Sequence, residues 1–335
     1  QIVSSPVAAA VTIALIYMFG IAGGAAAISV ASLATLGVHL WFIREFRPRP
    51  TAASIDYRAR IIENLKTGSG FAINGIYLTG TGWLTLYLLR HYYGDQGLHQ
   101  IGMFGAASML ANFYVGIVIS ALATEFYPAL TALADKRDEM RTMLNRQAVM
   151  AMDIGASGAL FGLTFAPLAL TLLYSSQFSD ATEVLRLLFV ATGIRFAAFP
   201  LGYTIMAAGK SKLFATCELA MGGVTLVTAV LGIHFFGLLG VGYAQIAANL
   251  IQVVFLLVVC SKIGITWNRH SAITATVASV FVAATLLLVL LYTGPYAWAP
   301  PLVIALGYSS LALNRVRRGL GISLASILAR FGVRR

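Results

Sequence analysis

The feature that most restricts this chain is the placement of its positive charges among ten long apolar stretches. These run approximately Ile2 to Gly20, Ala25 to Ile43, Gly68 to Leu89, Ile101 to Leu130, Ala148 to Tyr174, Leu185 to Ala207, Leu213 to Phe236, Val241 to Cys260, Ala272 to Tyr292 and Ala297 to Leu313. Each is near the roughly 20 apolar residues that a helix needs to cross a hydrocarbon core. Every second connection is basic: Arg44, Arg47, Arg49, Arg58, Arg60 and Lys66; then Lys136, Arg137, Arg141 and Arg146; then Lys210 and Lys212; then Lys262 and Arg269. Arg315, Arg317, Arg318, Arg330, Arg334 and Arg335 follow the last stretch, and the intervening connections hold no Lys or Arg. Of 23 such residues only Arg90, Arg186 and Arg195 lie elsewhere. Short positive loops stay cytoplasmic, so the partition predicts ten transmembrane helices with both ends on the cytoplasmic side.

Composition agrees with a bilayer as the main solvent. The chain is 59% hydrophobic and 10% charged, against about 25% charged in soluble domains. The net charge of +11 is explained by membrane insertion, so no nucleic-acid partner is needed; that reading requires a basic surface on a soluble fold. Cys217 and Cys260 sit in apolar runs without metal-ligand spacing and read as small hydrophobes. Gln1 opens the chain without a basic segment before the first apolar run, as expected of a fragment preceded by further helices. After Leu313, Leu320, Ile322, Leu324, Ile327, Leu328 and Phe331 interleave with basic residues. That pattern suits either an amphipathic helix on the anionic inner leaflet or a frayed positive tail.

The longest inner connection, Arg44 to Lys66, separates two spans from eight and suggests a seam between bundles. Transporters commonly build two such halves around a central site. The expected organisation is residues 1–43 as the last two helices of an amino-terminal lobe and 44–67 as a cytoplasmic inter-lobe loop. Residues 68–313 would be a carboxyl-terminal lobe of eight helices, and 314–335 a basic cytoplasmic tail.

Three segments carry a family resemblance. GAASMLANFYVGIVISALATEFYPALTAL, Gly105 to Leu133, resembles the eighth helix of bacterial polysaccharide exporters, which ends in a Phe-Tyr-Pro-like motif. LLYSSQFSDATEVLRLL, Leu172 to Leu188, is similar to that family's periplasmic turn, and YTIMAAGKSK, Tyr203 to Lys212, to its Gly-Lys turn between helices. Their spacing resembles the Wzx-type O-antigen and polysaccharide flippases of the multidrug/oligosaccharidyl-lipid/polysaccharide exporter superfamily. The resemblance implies an all-α membrane protein, a bundle of about ten transmembrane helices that is part of a two-lobed fourteen-helix transporter fold, with four helices absent. It also implies a multi-pass protein of the bacterial inner membrane that moves a lipid-linked oligosaccharide of the undecaprenyl pyrophosphate type. The implied partners are that lipid, the surrounding membrane lipids and a polysaccharide polymerase.

A multidrug or organic-cation exporter of the same superfamily is the alternative, and a lipid II flippase, expected to be richer in cavity Arg and Lys, is a third. A membrane-embedded polymerase or ligase is disfavoured. The outer connections carry few titratable groups (His91, Asp95, His99, Asp180, Glu183), and no His/Asp cluster, nucleophile elbow or Gly-rich phosphate loop is present. The expectation is a protein that is not an enzyme and uses no cofactor or metal.

Charges inside spans are costly and are candidates for function. Arg195, near the middle of its span, either binds pyrophosphate through its planar donor fork or pairs with a carboxylate of a neighbouring helix. Glu125, Glu218 and Asp153 are candidates for ion coupling, or else snorkel or pair with loop cations. Two stripes share helical faces: Gly70, Asn74, Tyr77, Thr81 and Thr85, and Ser108, Asn112, Gly116, Ser120 and Thr124. Gln245, Asn249 and Gln252 form a third. Such faces line a wet cleft or form packing seams; Asn74, Tyr77 and Asn112 favour the cleft. Lys66, Arg146 and Lys210, at cytoplasmic mouths, are positioned to attract a lipid pyrophosphate, although insertion alone accounts for them.

Overall fold

The computed structural model describes residues 4–43, 58, 61–62, 79–292, 294 and 296–320. Among them there is no strand. The helices are α1 (Ser4–Ile43), α2 (residues 79–93), α3 (Gly97–Thr131), α4 (Arg137–Leu173), α5 (Thr182–Ala207), α6 (Ser211–Lys262), α7 (Arg269–Leu291) and α8 (Ala299–Leu320). The chain divides into two compact units, Gln1–Ile61 and Ile62–Arg335.

Two of these helices are hairpins. In α1 the backbone reverses at Gly20 (φ 59°, ψ −136°), and in α6 at Gly237 (φ 58°, ψ −130°), a region that only glycine enters without strain. Beyond each reversal the arms touch, Gly23 against Leu15 in α1 and Gly240 against Gly232 in α6. With α1 and α6 each divided at its glycine, the described residues hold ten helical segments; α2 covers only the second half of the expected Gly68 to Leu89 span, and residues 63–78, like most of the expected 44–67 loop, lie outside the described residues.

Helices run further than hydrophobicity alone indicated. Helix α4 starts at Arg137 rather than near Ala148, with Asp138 and Glu139 in its first turn, where acidic groups favour the helix dipole. Helix α8 continues past Leu313 to Leu320. The apolar ruler measures where the chain meets lipid, and a helix that carries polar side chains can continue beyond it.

Within the second unit α4 is the central post, packed on α3, α5, α7 and α8. Gly155 permits this: a side chain there would strike the Phe196 ring of α5. One core joins Phe126, Leu130, Leu144, Phe196, Phe199 and Leu256; another joins Leu160 and Leu163 of α4 to Val282 of α7 and Tyr308 of α8. Phe113, Leu172, Val254, Leu291 and Val303 point outward, as suits helices whose outer solvent is lipid rather than water. Helix α2 grips the tip of the α6 hairpin. The Leu238 amide donates to the Tyr93 hydroxyl at 2.8 Å, and the Tyr92 hydroxyl donates to the His234 carbonyl at 3.4 Å.

Candidate functional site

Helices α2, α3, α5 and both arms of α6 surround a cleft of about 560 Å³. Its polar lining comes from the faces with helical spacing: Thr81 and Thr85 of α2, Ser108 and Asn112 of α3, Thr192 and Arg195 of α5, Glu218 of the first α6 arm, and Gln245, Asn249 and Gln252 of the second. Arg195 stands about 20 Å along the axis from Thr182 at 1.5 Å per residue, near the middle of α5. Phe104, Phe199 and Phe214 supply apolar walls.

Several of these polar groups are committed locally. Thr85 donates to the Thr81 carbonyl at 2.9 Å, Asn112 to the Ser108 carbonyl at 2.9 Å and hydroxyl at 3.0 Å, and Thr192 to the Phe189 carbonyl at 2.8 Å. The Asn249 amide donates to the Ala191 carbonyl at 2.7 Å, tying α6 to α5 one turn from Arg195. Among the described residues, Arg195, Glu218, Gln245 and Gln252 make no side-chain hydrogen bond. Arg195 and Glu218 attract one another through space without forming a direct ion pair. The cleft therefore offers a guanidinium fork, a carboxylate and two primary amides to an incoming polar group.

Asp153 has a different setting. It is fully buried, and its Oδ1 accepts from the Tyr308 hydroxyl at 2.9 Å and pairs with Arg315 Nη2 at 3.4 Å. The Arg315 guanidinium also lies 5.8 Å from the centre of the Tyr308 ring, within cation–π range. Asp153 lines none of the cavities described here and joins α4 to α8. Neither partner was singled out from the sequence, because Arg315 counted as a tail charge and Tyr308 as an apolar span residue. Arg186 likewise is tied, to Glu183 at 2.6 Å and to the Leu163 carbonyl at 3.3 Å.

Of the other candidates, Arg146 lines a second cavity, between α4, α7 and α8. Glu125 and Lys210 are exposed and line neither cavity. Lys66, Asn74 and Tyr77 lie outside the described residues. The α3 stripe divides: Ser108 and Asn112 face the cleft, whereas Thr124, exposed, donates to the Ser120 carbonyl at 2.7 Å. Thr192 was missed, although its position three residues before Arg195 puts it on the same face. Among the described residues no group of three His, Cys, Asp or Glu side chains is placed to hold a metal ion.

Residues 1–183, more than half of the chain, match the family described as polysaccharide biosynthesis protein. The chain belongs to the polysaccharide biosynthesis protein family. This family member is 20% identical over 172 residues to the Lipid III flippase of Escherichia coli (strain K12), an alignment covering 51% of this chain and 40% of that relative. Its fold is similar to that of Lipid II flippase MurJ in an inward closed conformation, with a TM-score of 0.65 at 14% identity over 91% of this chain and 64% of that one. It is also similar to an outward-facing multidrug resistance MATE family transporter of the MOP superfamily, with a TM-score of 0.51 at 11% identity over 76% of this chain and 64% of the other. This polysaccharide biosynthesis protein is thus a multi-pass helical membrane protein with the fold of that superfamily, and these relatives are transporters rather than enzymes. It spans less than two thirds of the length of each.

Proposed function

We propose that the chain forms part of a flippase that carries a polyprenyl-pyrophosphate-linked oligosaccharide from the cytoplasmic to the periplasmic leaflet of the bacterial inner membrane, for O-antigen, capsule or exopolysaccharide assembly. The observation that carries the proposal is Arg195. A permanently charged donor fork sits in mid-bundle, faces a cleft and makes no hydrogen bond among the described residues. A pyrophosphate accepts two parallel N–H bonds from such a fork, and the interaction strengthens where water is scarce. Gln245, Gln252 and Asn112 then face the sugar hydroxyls, while the polyprenyl tail stays in lipid.

In this reading both ends of the chain are cytoplasmic. Residues 1–43 close an amino-terminal lobe, 44–67 link the lobes, and 68–313 form the carboxyl-terminal lobe; of the basic segment 314–335, residues up to Leu320 continue α8. The lobes rock about the head group in alternating access, and a polysaccharide polymerase takes the product outside. Lys66, Asn74 and Tyr77 are further substrate-binding residues in this reading, with Arg146 and Lys210 as entry charges. Glu218 is the coupling carboxylate best placed to sense an ion, because it faces Arg195 across the cleft.

Glu218 also favours a second reading, an ion-coupled exporter of organic cations. The test follows lipid-linked oligosaccharide in cells carrying the full gene, comparing wild type with Arg195→Ala at matched expression. The flippase reading expects lipid-linked repeats to accumulate on the cytoplasmic face in the variant. Unchanged glycan export in a complete gene deletion, together with heightened sensitivity to cationic drugs, rejects it in favour of the exporter.

A further inference from the structure

A second cavity, about 780 Å³, lies between α4, α7 and α8 at the basic end of the bundle. Arg141 and Arg146 of α4, His270 of α7 and Arg315 of α8 line it, against the single carboxylate of Asp138. None of the residues lining the Arg195 cleft takes part. The walls are held in place. Asn145 donates to the Thr266 carbonyl at 3.1 Å, while its Oδ1 accepts from the Asn268 amide at 2.6 Å and the Ser271 hydroxyl at 2.7 Å. This knot pins the start of α7 to α4, and Arg315 is held from behind by Asp153.

Arg315 is already met by Asp153 behind it, so the basic character of the cavity rests on Arg141 and Arg146, which outnumber the one carboxylate in its lining, Asp138. The volume falls within the range of ligand pockets and far exceeds what a lone phosphate fills. Val149, Met150 and Val316 add apolar surface to its lining, so the ligand that complements it is an amphiphile with an anionic head. The inner leaflet supplies such molecules, and basic pockets between helices on that side are the form their recognition takes.

We propose that this cavity binds the phosphate head group of an anionic phospholipid of the cytoplasmic leaflet, at a site that shares no residue with the transport cleft and only the entry charge Arg146 with the proposed substrate path. The proposal rests on the cytoplasmic orientation proposed above. It does not require the flippase substrate, and its occupant braces α7 and α8 against α4.

The test titrates the purified protein in detergent with phosphatidylglycerol, phosphatidylcholine, undecaprenyl pyrophosphate and inorganic pyrophosphate, reading thermal stabilisation and, by native mass spectrometry, bound lipid. Phosphatidylglycerol is expected to bind and stabilise, and phosphatidylcholine is not. Arg141→Gln/Arg146→Gln weakens phosphatidylglycerol binding by roughly 10- to 30-fold, as two near-surface charges predict. Lys212→Gln/Lys262→Gln, which removes the same charge from exposed sites outside the cavity, changes it less than about twofold. Arg141→Gln alone gives a several-fold loss and keeps the test valid if the double variant folds poorly. Equal binding of both phospholipids, or equal losses in the two double variants, overturns the site. Tighter binding of undecaprenyl pyrophosphate than of phosphatidylglycerol, sensitive to Arg141→Gln, overturns the phospholipid assignment. Because no step measures transport, the site and the flippase reading can fail independently.

Discussion

Arg195 and Asp153 are both charges set within apolar helices, yet their neighbours divide their roles. Asp153 is fully buried and met by a hydroxyl and a guanidinium from another helix. Arg195 faces a cleft, and its opposite charge, Glu218, acts on it without contact. A buried charge met on the spot through one oxygen, as Asp153 is through Oδ1, has the setting of a scaffold group. A charge left facing open space, with its counter-charge held back, is placed to receive something. The expense of putting a charge inside a membrane protein therefore marks both residues as important and separates their roles only once their partners are known.

Substitutions can break this contrast. The largest effect is expected from Asp153→Ala, which strips Tyr308 and Arg315 of their shared acceptor and costs about 3–5 kcal/mol of stability. It is read as a lower melting midpoint and a smaller folded fraction in detergent; an unaltered midpoint would remove Asp153 from the scaffold. Arg195→Ala should leave that midpoint nearly unchanged while lowering delivery of lipid-linked oligosaccharide by about 30-fold or more, the size expected for a charge-assisted contact of 2 kcal/mol or above. Should Arg195→Ala instead unfold the protein, the two sites would be alike and the contrast would collapse. Gly155→Ala drives a methyl group into the Phe196 ring and should cost about 1–3 kcal/mol, again in the midpoint and not in substrate handling. The smallest effect is expected from Gln252→Ala, a few-fold loss of transport at constant stability, as for one neutral hydrogen bond of about 1 kcal/mol.

The distinction was only partly legible in the sequence. The alternating basic connections pointed to the helices, and the connection Phe236 to Gly240 fell where α6 reverses. Helical spacing showed which faces of α2, α3 and α6 were polar, and their described members Thr81, Thr85, Ser108, Asn112, Gln245, Asn249 and Gln252 meet Arg195 and Glu218 in one cleft. Spacing cannot show where a stripe stops serving the cleft. Asn112 lines it, while Thr124, three turns further on, is exposed and bonds its own helix. Nor could spacing find the partners of Asp153, because Tyr308 and Arg315 follow it by about 160 residues and meet it only through tertiary folding. The basic cavity was hidden for a related reason. Its arginines were already accounted for by membrane insertion, and nothing in a tally of loop charges says that three of them converge.

The reversal at Gly237 also affects how this end of the hairpin can be probed. With a single residue joining two antiparallel arms, and Tyr93 closed over it, that end of the hairpin has no slack chain for a protease to thread or an antibody to grasp. An epitope tag inserted there would pry the arms apart. Topology at this end would need single cysteines and small impermeant reagents.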